Sequence, residues 1–276
     1  MEGKTVVITG ASAGIGAIAA SALAQRGATV VPVGRSPEKT AAVAEAIGVE
    51  PLVADFAELD QVRRLAAQLL ERCPRIDVLA NNAGGVFPRR EVTPDGHELT
   101  IQVNHLAAFL LTALLRERLE TTGAARVINT ASVANRFGRI DVCDLDYERR
   151  RWGSFRAYAA SKLANVLFTR ELARRLARTD VTSVCFHPGT VASEFGRDSW
   201  TVGLPYRVPA LRRLLLVSPE RGSEPLVDLA ARGDIADFHG VYFDRRKPHG
   251  AVSPQADEPE RGRELWQRSA AMLGTG

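Results

Sequence analysis

Short apolar, β-rich runs alternate with helical stretches along almost the whole chain, and this alternation restricts the fold more than any other feature of the sequence. The runs read as strands at 4–9, 28–33, 49–54, 76–80, 126–131, 181–187 and near 241–243. Helical patterns fill the gaps at 14–26, after Ser36-Pro37-Glu38, at 58–72, through Leu119, and at 155–178. Ser36-Pro37-Glu38 has the form of an N-cap, a first-turn proline and a first-turn acid. Strands that are apolar on both faces, each followed by a helix, imply a parallel sheet covered on both sides. The expected fold is therefore α/β, a Rossmann-type doubly wound parallel β-sheet of about seven strands. Pro32 within the second strand breaks the rule that proline avoids central strands. No repeat or linker divides the chain, so a single domain over 1–276 is expected.

Several function classes recede on composition. Lys and Arg number 36 against 32 Asp and Glu, a formal net charge of +4. The basic residues fall in scattered groups such as Arg149-Arg150-Arg151 and Arg245-Arg246-Lys247, with no recognition motif, so no nucleic-acid partner is expected. Cys73, Cys143 and Cys185 form neither a CxxC pair nor a disulfide framework, which points to reduced thiols and a cytoplasmic protein. The apolar run at 106–115 is far short of the roughly 20 residues that span a bilayer. Only Met1-Glu2-Gly3 precedes the first strand, so neither signal peptide nor membrane anchor is expected. Five scattered histidines suggest no metal site.

Thr9-Gly10-Ala11-Ser12-Ala13-Gly14-Ile15-Gly16 links the first strand to the first helix. Gly10 permits a tight turn, Gly14 lets a pyrophosphate approach the backbone, and Gly16 lets helix and strand pack closely. The helix N-terminus adds free N–H groups and a partial positive charge. Glycine-rich turns are common, but this one sits where a dinucleotide would bind, and Ser12, Ala13 and Ile15 share the loop. Its Gly-x-x-x-Gly-x-Gly spacing resembles the short-chain dehydrogenase/reductase family, in its shorter, single-domain branch.

The end of the second strand separates NADP from NAD. An acid there would repel a 2′-phosphate, whereas an arginine would bind it. The strand runs into Gly34-Arg35-Ser36, where no acid is seen, so Arg35 and Ser36 are placed to hold the phosphate. NADP(H) is favoured, with NAD(H) as the alternative; Ala13 stands where NADP-preferring relatives often carry a further basic residue. The resemblance also implies an adenine contact at Asp55-Phe56 and a cofactor-lining, sheet-stabilising turn at Asn82-Ala83-Gly84. It further implies a carboxamide-binding segment at Pro188-Gly189, with Val191 and Ser193 holding the amide.

Tyr158 and Lys162 lie four residues apart in the strongest helix, so phenol and ammonium share a face. A free phenol, with a pKa of about 10, is a poor acid–base group at neutral pH. A neighbouring cation stabilises its phenolate and brings proton transfer into range. Such a pair alone is cheap in any helix. Ser132 closes the fifth strand 26 positions before Tyr158, and Asn104 lies in the long helix after the fourth. Asn104, Ser132, Tyr158 and Lys162 match the family's catalytic tetrad in order and setting. The resemblance implies that Ser132 polarises a carbonyl, Tyr158 transfers the proton, Lys162 holds the nicotinamide ribose and tunes Tyr158, and Asn104 completes a proton relay.

Val103-Asn104-His105-Leu106, the segment from Ala157 to Leu172, His187-Pro188-Gly189, Ser218-Pro219-Glu220-Arg221-Gly222 and Gly240-Val241-Tyr242-Phe243 are similar to the retinol-dehydrogenase-like and WW-domain-oxidoreductase-like group. Ala13, Ala17 and Thr130-Ala131 depart from that pattern. The group implies an NADP(H)-dependent oxidoreductase acting on lipophilic alcohols or aldehydes, with a substrate lid at about 194–217. There Trp200, Leu204, Tyr206, Val208 and Leu211 suit an apolar pocket, while Arg197 and Arg207 suit a polar or anionic substrate. The alternatives are an inactive NADP-binding sensor or scaffold, an extended-branch epimerase or dehydratase, and a tailoring ketoreductase of secondary metabolism. The expected partner is a small carbonyl or alcohol substrate, and the expected assembly a homodimer.

Overall fold

The computed structural model describes residues 1–189 and 217–275. Its strands are β1 (Thr5–Thr9), β2 (Thr29–Gly34), β3 (Leu52–Val53), β4 (Val78–Asn81), β5 (Arg126–Thr130), β6 (Thr182–His187), β7 (Tyr242–Asp244) and β8 (Lys247–Pro248). They form one sheet in the order β3-β2-β1-β4-β5-β6-β7-β8. Seven strands run parallel, and β8 adds a two-residue antiparallel edge. The chain steps outward in one direction from β1 to β3, returns to β4, and steps outward in the other. The reversal between β1 and β4 opens a crevice at the carboxyl ends of the strands, where ligands of such sheets bind.

Alternating side chains supply two separate cores. Val7, Leu79, Val127 and Cys185 face one side, packing under α3 (Leu59–Arg72), α5 (Ala107–Leu114), α7 (Ser154–Arg175) and α9 (Pro259–Leu273). Val6, Ile8, Val78, Ile128, Val184 and Phe186 face the other, under α1 (Gly14–Ala24) and α8 (Pro219–Ala231). This is why the strands read as unbroken apolar runs.

Pro32 finds its explanation in the ladder. Thr29 donates its N–H to Lys4 and Val33 accepts from Ala11, so the odd-numbered residues of β2 face β1. Gly34 accepts from Ala54, so the even-numbered residues face β3. Strand β3 pairs only with Val33 and Gly34, and the missing N–H of Pro32 therefore points past its start.

The long helix expected after β4 is interrupted twice. After α4 (Leu99–Ile101), capped by the Glu98 carboxylate on the Ile101 N–H at 2.9 Å, comes a π-helical turn, Gln102–Leu106. After α5, a break at Leu115 sends α6 (Arg116–Thr122) off at 56° to the preceding stretch. Arg118 bonds the Cys73 carbonyl and Thr122 accepts from the Ile76 N–H, which ties α6 to the approach to β4. Among the described residues no single helix is long and apolar enough to cross a membrane.

Candidate active site

The glycine loop closes on the turn after β4. Gly10 has φ +68°, and a Cβ there would lie 2.8 Å from the Ala83 Cα. A Cβ on Gly16 would lie 2.4 Å from the Gly10 carbonyl oxygen. Gly14, at φ +58°, has nothing within 4 Å of its Cβ direction, so its backbone is open to a close ligand. Ala13 caps α1 without a side-chain hydrogen bond, and no acid lies in the first turn. These are the features a pyrophosphate needs: an accessible backbone, N–H donors and no opposing charge.

The Asn82 side chain donates to the Thr9 carbonyl at 3.0 Å and accepts from the Thr130 hydroxyl at 3.2 Å. The Thr9 hydroxyl accepts from the N–H groups of Asn82 and Ala83, both at 3.0 Å. The Asn82-Ala83-Gly84 turn thus fastens the ends of β1, β4 and β5 together.

At the end of β2, a Cβ on Gly34 would meet the Ser12 Cβ at 2.8 Å, so the glycine loop lies directly against the start of the Arg35 segment. Arg35 is exposed. Ser36 caps α2 (Pro37–Ala46), accepting from the Lys39 N–H at 3.4 Å and donating to the Glu38 carboxylate at 2.9 Å. The first-turn acid Glu38 folds back beside Ser36, next to the expected 2′-phosphate site. Its own backbone N–H and the Ser36 hydroxyl hold the Glu38 carboxyl below its ordinary range.

Asp55 forms a local turn, its carboxylate accepting from the Ala57 N–H at 2.9 Å. The Phe56 side chain is buried in the core, and its carbonyl accepts from the Gln102 amide at 3.3 Å. The two residues sit at the same rim, but the phenyl ring itself is turned inward.

Asn104 and Lys162 meet beneath Gly84. Asn104, in the π-helical turn, accepts from the Gly85 N–H at 2.7 Å and donates to the Gly85 carbonyl and the Ser161 hydroxyl, each at 2.9 Å. A Cβ on Gly84 would lie 2.9 Å from Asn104 Oδ1 and 3.3 Å from Lys162 Nζ. The Lys162 ammonium donates to the Thr130 carbonyl at 3.1 Å and lies 5.7 Å from the centre of the Tyr158 ring. Burial pulls its pKa down to about 8. Tyr158 is half-buried on the same helix. Ser132, also half-buried, caps the 3-10 helix Val133–Phe137, accepting from the Ala134 N–H at 3.2 Å. That helix is held to α7 at Gly138, where a Cβ would lie 2.4 Å from the Ala159 carbonyl.

Pro188 and Gly189 follow β6, with Gly189 buried at φ +96° against Val217. Val191, Ser193 and residues 194–216 of the expected lid, including Arg197, Trp200, Leu204, Tyr206, Arg207, Val208 and Leu211, lie outside the described residues. The sequence reading missed Gly85, Ser161, the Thr130 carbonyl and Asn165, whose amide also donates to that carbonyl at 3.2 Å. Only Asn165, a polar residue on the buried face of an apolar helix, left a signal that could have been read.

Comparison with known proteins bears on this geometry. A model of the short chain dehydrogenase family matches residues 4–201. A Streptomyces sp. (strain C5) protein named as a daunorubicin C-13 ketoreductase is 46% identical over 282 residues, covering 99% of this chain and 94% of its own. Human retinol dehydrogenase 13 is 40% identical over 284 residues, covering 99% of this chain and 86% of its own. A crystal structure from Mycobacterium paratuberculosis superposes with a TM-score of 0.80 at 33% identity, covering 99% and 94% of the two chains. An Escherichia coli CFT073 short chain dehydrogenase complexed with NADPH gives 0.71 at 27% identity, covering 89% and 98%. Fold, site geometry and these likenesses agree: the chain belongs to the short-chain dehydrogenase/reductase family, in its retinol-dehydrogenase-like part, and is an oxidoreductase acting on CH–OH and C=O groups.

Proposed function

We propose that the protein is an NADP(H)-dependent carbonyl reductase or alcohol dehydrogenase for a lipophilic small molecule, with Tyr158 as its general acid and base. The observation that carries this reading is the meeting of Asn104 and Lys162 at Gly84, with the Tyr158 ring 5.7 Å from the ammonium, beside a glycine loop whose backbone is open to a pyrophosphate. When bound, the nicotinamide supplies or accepts the hydride.

The protein's part is placement and proton handling. Ser132, at the rim of β5, donates to the substrate oxygen and orients it. Tyr158 gives that oxygen its proton during reduction and takes it back during oxidation. Lys162, positively charged below about pH 8, stabilises the phenolate that remains and holds the ribose hydroxyls. Asn104 passes the proton onward from Lys162. Arg35, with Ser12 and Ser36 close by, receives the 2′-phosphate, and Pro188, Gly189, Val191 and Ser193 receive the carboxamide.

The two named relatives frame the chemistry: one is named as a ketoreductase acting at C-13 of daunorubicin and the other as a dehydrogenase of retinol, a ketone and an alcohol. The test is a screen of NADPH and NADH against lipophilic aldehydes, aromatic ketones and quinones, following loss of nicotinamide absorbance. Carbonyl-dependent oxidation of NADPH, faster than of NADH, is the expected result. Oxidation of neither cofactor with any carbonyl would remove the assignment.

A further inference from the structure

The π-helical turn that carries Asn104 also carries His105, a fully buried residue that the mechanism above does not use. Its imidazole lies between the rings of Phe109 and Phe168, with centroids 6.2 Å and 5.9 Å away. Its Nε2 is 2.9 Å from the hydroxyl of Ser269, itself fully buried on α9. Burial holds the imidazole at a pKa of about 4, so it is neutral at physiological pH, with one nitrogen donating and one accepting.

Nδ1 of His105 and Oδ1 of Asn165 are both buried and lack hydrogen-bond partners among the described residues. The Asn165 side chain is nevertheless the neighbour that pulls the imidazole's pKa upward against burial, which places the two groups close together. With the Ser269 hydroxyl donating to Nε2, the proton resides on Nδ1, and a small rotation of the Asn165 amide would bring its Oδ1 to that proton and satisfy both orphaned atoms. The other end of the same amide donates to the Thr130 carbonyl at 3.2 Å, the oxygen on which the Lys162 ammonium also rests. Buried polar groups thus follow one another from α9 to the active site: Ser269 and His105 on one side, Asn165, the Thr130 carbonyl and Lys162 on the other, meeting where two orphaned atoms face the same gap.

We propose that His105, anchored by Ser269, is a positioning residue for the Lys162–Tyr158 pair, so that the C-terminal helix sets the alignment of the active site. This rests on the oxidoreductase reading given above. Without the imidazole beside it, the Asn165 amide is held only at the Thr130 carbonyl, and a shift of that amide moves the carbonyl on which the ammonium rests. A misplacement of that size at a catalytic pair costs rate even where nothing touches the substrate.

The test uses the full chain with two readouts: turnover, and NADPH affinity from nicotinamide fluorescence. Ser269→Ala removes one hydroxyl and Asn165→Ala the next link. Leu265→Ala, buried on the same helix, removes packing without touching these polar groups. Ser269→Ala and Asn165→Ala should each lower kcat at saturating substrate and raise the NADPH Kd by roughly three- to thirtyfold, with the double variant no worse than the weaker single. Leu265→Ala should lower the Tm while leaving kcat and Kd per folded molecule at parent values. Parent-level kcat and Kd in Ser269→Ala, or losses that multiply in the double variant, would overturn the proposal. A parent chain that turns over no carbonyl sinks the reductase reading instead, and the NADPH affinities then still judge the coupling.

Discussion

In the proposed mechanism Tyr158 and Lys162 act through charge at short range. The ammonium is buried, sits 5.7 Å from the phenol ring centre, and is held from below by the Thr130 carbonyl. On that proposal, removing the phenol oxygen takes away the proton donor and leaves the glycine loop and Lys162 in place. Tyr158→Phe should therefore lower kcat by at least about a hundredfold, the scale of general acid–base catalysis, with NADPH affinity within a few fold; steady-state kinetics and a fluorescence titration check both halves. Arg35 is the complementary case, an exposed cation proposed to act only through the ligand. Arg35→Ala should weaken NADPH binding by about 1–3 kcal/mol, the scale of a lost charge-assisted contact, and leave NADH binding unchanged. Equal NADPH affinities in mutant and parent would reassign the 2′-phosphate site. The candidate catalytic residues could be named from the sequence because each needs its own functional group at a fixed spacing, and the structure brings Asn104 and Lys162 together at Gly84. Glu38 was not weighed there, because its approach to Ser36 depends on how the first turn of α2 folds back. The backbone partners, Gly85 and the Thr130 carbonyl, left no trace, since any residue type can supply an N–H or a carbonyl.

At the scale of elements, apolar periodicity located the parallel strands, and the discrepancies have local causes. β3 shrinks to Leu52–Val53 because it pairs only with the last two residues of β2. β8 went unread because a two-residue edge strand has no periodicity to detect. The π-helical turn was equally invisible: Gln102, Asn104 and His105 look like polar intrusions on an apolar helix until their partners are known. Gln102 accepts from the Thr93 hydroxyl and donates to Asp95, Asn104 reaches Gly85 and Ser161, and His105 reaches Ser269. A widened turn lets three near-neighbours point to three different elements, in keeping with the frequency of such bulges at functional sites. Packing between elements is as tight as packing within them. The Ser132 helix meets α7 at Gly138, with no room for a methyl group before the Ala159 carbonyl. Gly138→Ala should cost about 1–3 kcal/mol of stability by overpacking and should separate Ser132 from Tyr158. Urea unfolding and kcat, measured together, should both fall. A stable variant with parent kcat would show that the two elements tolerate displacement.

Over the whole molecule, the titration of buried histidines sets the acid limit of stability. Burial holds His105 and His187 at about 4, His187 because it closes the buried strand β6, with Asp244 pulling upward and Arg245 downward. The unfolded chain protonates both near 6.5, so between 6.5 and 4 it binds more protons than the folded chain does. Stability therefore falls as pH drops through that window, by on the order of 3 kcal/mol per histidine. His97 acts in the opposite sense. Its hydrogen bond to Asp146 raises its pKa, so its contribution is present below 6.5 and is lost as pH rises through the raised value. The His97 window lies above 6.5, so it does not oppose the decline that His105 and His187 produce between 6.5 and 4. At still lower pH the buried carboxylate of Asp77 joins them. Burial would raise it, but Arg75, the Thr5 N–H and Lys4 outweigh burial and hold it below its ordinary range, so its stabilisation is lost as pH falls through that lowered value. The histidine share can be isolated at His187, whose Nδ1 accepts from the Gly189 N–H at 3.4 Å. Asparagine presents an oxygen near the same place and does not titrate. His187→Asn should thus flatten the decline of urea-unfolding stability between pH 6.5 and 4 by about one proton's worth of slope. An unchanged slope would mean that the folded chain already protonates His187 in that range, and that burial at the end of β6 is not what keeps it neutral.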